Sequence, residues 1–124
     1  MGGWHPDALR LLAKWLDEAG RRDETLQVLQ AVNYVDPMDQ ANHALLGERL
    51  LSAHRADDAL REFKVLMALN PLDKSVPNFG IARALREKGD AAGSRRYLLE
   101  ALETAPHYRP AQNLLLELTG ERTR

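Results

Sequence analysis

Large aliphatic residues recur three and four positions apart along the chain, the period of a helix that buries one face. Leu12, Ala13 and Leu16 form one such group. Leu46, Gly47 and Leu50 form a second, and Ile81, Ala82 and Leu85 a third. Shorter groups lie between them: Thr25 with Leu29, Ala59 with Phe63, and Ser94 with Leu98. Turn markers separate the groups at Ala19-Gly20, Ala53-His54 and Lys88-Gly89. Gly20 and Gly89 suit the left-handed residue that ends a helix. Asp23, Asp57 and Asp90 stand where they would cap the helices after those turns, and Asp39 and Asp73 where they would cap the helices after Pro37 and Pro71. The pattern predicts seven helices and no sheet, near residues 7–19, 23–35, 40–53, 57–69, 75–88, 91–104 and 108–118. Pro77 falls in a first turn, where proline is tolerated, and Gly120 is expected to cap the last helix.

These groups repeat in register. Val35-Asp36-Pro37, Leu69-Asn70-Pro71 and Thr104-Ala105-Pro106 place prolines 34 and 35 residues apart. Counting back from each proline aligns Leu12, Leu46 and Ile81, then the small residues Ala13, Gly47 and Ala82, then Leu16, Leu50 and Leu85. Thr25, Ala59 and Ser94 align in the second helix of each unit, followed by Leu29, Phe63 and Leu98. Small residues let the two helices of a hairpin approach closely, large ones fill the space between them, and proline ends the second helix. The register predicts burial of Leu46, Gly47, Ala59, Phe63, Leu85 and Leu98.

The skeleton resembles the tetratricopeptide repeat (TPR) signature, W-x2-L-G-x2-Y, then A-x3-F, then P. The middle unit matches best, through Leu46-Gly47, Leu50, Ala59, Phe63 and Pro71. Leu9, His43 and Asn78 stand at the signature tryptophan, leucine replaces its tyrosine throughout, and the third unit is one residue longer. The resemblance implies an all-α fold: a right-handed α-solenoid of three TPR-like helix hairpins plus a C-terminal capping helix. It places one domain over residues 6–118, with residues 1–5 an N-terminal tail or cloning scar and residues 119–124 a frayed tail.

Composition narrows the function classes. The chain has 124 residues, 44% apolar and 28% charged, a globular balance. With no cysteine, thiolate catalysis and Cys-ligated metals are excluded. The formal charge of −1 gives no reason to expect a nucleic-acid partner. No apolar run has the roughly 18 residues of a membrane span, and the first residues lack the pattern of a signal peptide. A cytoplasmic location is expected, an exported fragment being the alternative.

No catalytic constellation stands out. His5, His43, His54 and His107 share no metal-ligand spacing, and His43 is expected to fill the tryptophan position. Acid pairs such as Asp23-Glu24 and Asp57-Asp58 sit at helix starts, where they favour the helix dipole. No cofactor is expected. The resemblance instead implies a concave groove lined by the first helix of each repeat: Arg10 and Lys14, then Glu48 and Leu51, then Phe79, Arg83 and Arg86, with Arg109 extending it. Arg10, Lys14 and Arg83 offer cations for a peptide carboxylate, although the asparagines of the family's clamp are missing. Residues 1–39 carry four basic against seven acidic side chains and residues 75–124 eight against six, so an acidic peptide would favour Arg83, Arg86 and Arg109.

The function implied is a non-catalytic scaffold or adaptor that binds a protein or peptide segment. The alternative is a structural or self-associating TPR segment of a larger bacterial protein. For that reading the candidate end interfaces are Trp15 on the first helix and Leu115 and Leu116 on the last, with a homodimer as a possible outcome. Trp4 folding back on Trp15 is the competing expectation.

Overall fold

A computed structural model describes residues 5–123. Seven helices follow in chain order: α1 (Pro6–Glu18), α2 (Arg22–Val35), α3 (Gln40–Ser52), α4 (Ala56–Ala68), α5 (Ser75–Glu87), α6 (Ala91–Thr104) and α7 (Arg109–Thr123). No strand occurs among the described residues. The helices pair as three hairpins, α1/α2, α3/α4 and α5/α6, stacked in chain order, and α7 packs on α6. This is the all-α TPR-type solenoid. The last helix runs on through Gly120 rather than ending there.

Local chemistry explains the helix ends. Gly20 (φ 74°) and Gly89 (φ 88°) take the left-handed conformation that glycine adopts freely. His54 and Asn70 take it at the α3–α4 and α4–α5 turns, with φ near 59° and 57°. Asp39 caps α3 by accepting from the Asn42 N–H at 3.1 Å, and Asp90 caps α6 from Gly93 at 2.8 Å. Asp73 accepts from the Ser75 N–H at the start of α5. Asp23 and Asp57 differ from expectation: both lie inside the first turn, where their charge meets the positive end of the helix. His5 caps α1, accepting from the Asp7 N–H at 3.2 Å.

One aromatic ring joins the repeats. Phe63 on α4 is wholly buried. A Cβ on Gly47 of α3 would stand 2.7 Å from the ring's Cζ, and a Cβ on Gly80 of α5 would stand 2.5 Å from its Cδ1. The ring therefore lies between two helices bare of side chains, one from its own hairpin and one from the next. Thr25 and Ser94, which replace the signature alanine, stay buried because each hydroxyl donates to a backbone carbonyl: Arg21 and Ala82 respectively, both at 2.7 Å. Leu46, Ala59 and Leu98 are buried as expected, whereas Leu85 is only half-buried at the edge of the core.

The close approach sets an expectation for stability. Gly47→Leu and Gly80→Ala each force an atom into the Phe63 ring, and each is expected to cost about 1–3 kcal/mol in urea unfolding. At Gly80 that cost exceeds the gain of up to about 1 kcal/mol that alanine brings to a helix interior. A stabilised Gly80→Ala variant would show that the ring does not occupy this gap.

Candidate functional site

The first helices of the hairpins, α1, α3 and α5, together with α7, carry the expected groove residues, and ion pairs run from each to the next. Asp17 on α1 holds Arg49 on α3 through two bonds of 2.6 and 2.7 Å. Glu48 on α3 accepts from Arg83 on α5 at 2.6 Å. Arg86 on α5 lies 3.5 Å from Glu117 on α7. Arg10 is bound three ways, to Asp39 at 2.7 Å, Asp36 at 2.6 Å and Asp7 at 3.0 Å.

The pairs fix charge states. Arg49 holds the Asp17 carboxyl below its ordinary value despite partial burial. Burial pushes Asp39 upward, but the Arg10 hydrogen bond and the Asn42 and Ala41 N–H groups outweigh it, so its net shift is also downward. Arg10 and Arg49 are correspondingly raised by their aspartate partners. Arg10 and Arg83 are thus already neutralised within the chain. Lys14 and Arg109 have no carboxylate partner among the described residues.

Toward α7 the face becomes aromatic. Phe79 meets Tyr108 edge-on, with ring centroids 5.4 Å apart, and the Arg83 guanidinium lies 5.1 Å from the centre of the Phe79 ring. Burial raises the Tyr108 hydroxyl above its ordinary value, and Glu48 adds to the shift. Leu51 is 7% exposed and belongs to the core beside Leu50, so it forms the floor of the face rather than its surface. It borders a cleft of about 580 Å³ that Arg83, Arg86 and Leu114 also line.

A second cleft, of about 230 Å³, lies between α1 and α3, with Ala13, Leu29, Ala41 and Leu45 among its lining. Asn42 lines it too and is buried. The Asn42 amide donates to the Leu29 carbonyl at 3.0 Å and to Asn33 Oδ1 at 2.7 Å. Asn33 in turn donates to Glu62 at 2.9 Å, which lies 2.8 Å from His43 Nδ1. His43 Nε2 is 2.7 Å from the Pro37 carbonyl. This largely half-buried network ties α2, α3, α4 and the α2–α3 turn together, with His43 at the signature tryptophan position as expected. Asn42 gave no signal in the sequence, where it stands between Ala41 and His43 at the polar start of α3. Among the described residues no group of His, Asp and Glu side chains could hold a metal ion, and no helix is long and apolar enough to cross a membrane.

The ends differ from the interior. Asn42 and Leu45 on α3, Pro77, Gly80 and Ala84 on α5, and Ala111, Leu114 and Leu118 on α7 are buried or half-buried at one shared register. The same register on α1 gives Ala8, Leu11 and Trp15, and Trp15 is 58% exposed. Trp4, the expected cover, lies outside the described residues. On α7, Leu115 is half-buried while Leu116 is 69% exposed. Leu116 stands where the hairpins carry the small residues Ala13, Gly47 and Ala82.

The fold is that of TPR proteins. The first TPR domain of Spaghetti (RPAP3), solved bound to an HSP90 peptide, superposes with a TM-score of 0.86 at 14% identity, covering 96% of this chain and 94% of that one. The Yersinia enterocolitica type III secretion chaperone SycD, solved with a peptide of the translocator YopD, gives 0.82 at 19% identity, covering 94% and 93%. YrrB, described as a TPR protein with an unusual peptide-binding site, gives 0.83 at 18% identity, covering 91% of this chain and 58% of that one. No protein-family model and no curated sequence matches the chain.

The ion pairs predict a pH dependence. Asp17 and Asp39 titrate below their ordinary value of 3.8 in the folded chain, so the stability they contribute is present above that value and lost as pH falls through the folded pKa. An Asp17→Asn, Asp39→Asn double variant is expected to melt below the wild type at pH 7. The two melting curves should converge as pH falls through the lowered folded pKa values of the two aspartates. Parallel curves from pH 7 to pH 2 would mean the pairs contribute nothing to folding.

Proposed function

We propose that the chain is a non-catalytic protein-interaction module that takes an extended peptide segment along the face built by α1, α3, α5 and α7. The observation that carries this reading is the face itself: two clefts and an aromatic pair lie on the helices that carry the cross-helix ion pairs. The bound peptides of the RPAP3 domain and SycD structures lend support. Because Arg10 and Arg83 are internally paired, a peptide gains little by offering them a carboxylate alone. Apolar side chains that fill the clefts supply the affinity instead, with charge setting orientation. Peptides selected from a random dodecamer display library, titrated into isotopically labelled protein, should shift the amide resonances of α1, α3, α5 and α7. Shifts confined to α2, α4 and α6 would move the interface to the other face.

A second reading is favoured by one observation: Leu11 and Trp15 are exposed at a register where α3 carries the half-buried Leu45 and Arg49 and α5 the buried Gly80 and Ala84. Apolar area left in water costs about 25 cal/mol per Å², and a second copy of the chain offers an equivalent patch. We propose symmetric self-association through α1, since closed symmetry is the common outcome. Light scattering should show a mass that rises toward a dimer at high micromolar concentration, and Trp15→Glu should restore the monomer. A wild-type chain that stays monomeric at that concentration contradicts this reading.

A further inference from the structure

The α1–α3 cleft has a specific chemistry. Its apolar lining is built from small or branched aliphatic side chains: Ala13 and Leu29 lie within the core, and Ala41 and Leu45 lie nearer the surface. Ala41 leaves open the volume that a larger residue would fill. The other charges around the cleft are spent, since Asp17 is held by Arg49 and Asp39 by Arg10. Lys14 alone among the lining residues carries a charge with no partner among the described residues.

Asn42 adds a directional element. Both hydrogens of its amide are committed, one to the Leu29 carbonyl and one to Asn33. The side chain is therefore locked, and no donor among the described residues reaches its Oδ1. An immobilised acceptor on a residue that lines an apolar cleft suits a backbone N–H, because the loss of side-chain freedom has already been met by the fold. It also penalises any ligand that covers it without donating.

From these three features, and resting on the groove reading above, we infer that the α1–α3 cleft is a recognition pocket for an extended peptide. It takes a Leu, Ile or Val side chain among Ala13, Leu29, Ala41 and Leu45, a backbone N–H of the peptide on Asn42 Oδ1, and a neighbouring Asp or Glu on Lys14. The complementarity runs in both directions. A lysine or arginine in place of the aliphatic residue would bury a charge that the cleft cannot pair. A basic neighbour would face Lys14.

The test uses the dodecamers selected on the wild-type chain, assayed by fluorescence anisotropy against three folded variants. Ala41→Leu fills the cleft from an exposed position, Lys14→Gln removes the charge, and Phe79→Ala alters the distant aromatic end. Circular dichroism melts confirm that each variant is folded. The inference predicts that selected sequences are enriched in an aliphatic residue beside an acidic one. Ala41→Leu should weaken them at least tenfold. Lys14→Gln should weaken them three- to tenfold, and that loss should vanish when the peptide's own acid is changed to its amide. Binding that survives Ala41→Leu but falls with Phe79→Ala would overturn the pocket while leaving the groove reading in place. Binding indifferent to all three variants, or a library that yields no binder, would overturn both.

Discussion

The arrangement depends on the Phe63 ring lodged between Gly47 and Gly80. A helix interior ordinarily disfavours glycine by roughly 1 kcal/mol relative to alanine. Here two glycines on different helices leave open the slots that a single ring fills, and any Cβ at either would lie closer than 3.0 Å to it. Because Gly47 belongs to the same hairpin as Phe63 and Gly80 to the next, one side chain sets both the closeness of a hairpin and the stacking of the following one. The spacing of α3 from α5 follows, and with it the reach of the Glu48–Arg83 pair across them.

That spacing has consequences for recognition. Ion pairs cross from α1 to α3, from α3 to α5 and from α5 to α7. They are half-exposed, so each is worth little as an isolated stabiliser. Their larger effect is to use up the cations of the face. As a proposed binding face, one with most of its charges spent would recognise shape and apolar character first. On the proposed reading, the polar groups left over, Lys14, Arg109 and the Asn42 oxygen, select among ligands that already fit. The half-buried network from Asn42 through Asn33 and Glu62 to His43 fixes the Asn42 amide, using three helices and a turn.

The helix order and the repeat register were legible because a 34-residue period is over-determined: prolines, small residues and aliphatic positions each report it. Gly47 and Phe63 were legible for the same reason. Gly80 was not, since it stands at the stacking register, where the repeat signature asks for no particular residue, and its role appears only once the ring of a different helix is in place. Sequence spacing assigns the proposed groove residues to α1, α3, α5 and α7, but it cannot tell an unpaired arginine from one bound to three carboxylates, as Arg10 is. Leu51 shows the same limit. One position along a helix separates an exposed face from a core floor, and the packing of the neighbouring helices decides between them. The locked amide of Asn42 was illegible because its partners come from α2, and neither is marked in the sequence.

If the Phe63 junction is the constraint from which the rest follows, the middle of the stack should be its most stable part. Native-state hydrogen exchange measures this amide by amide. The slowest amides are expected in α3, α4 and α5 around Gly47, Phe63 and Gly80, exchanging together, while α1 and α7, each packed on one side only among the described residues, open at lower free energy. Slowest exchange in α1 or α7, or an α3/α4 hairpin that opens independently of α5, would contradict it.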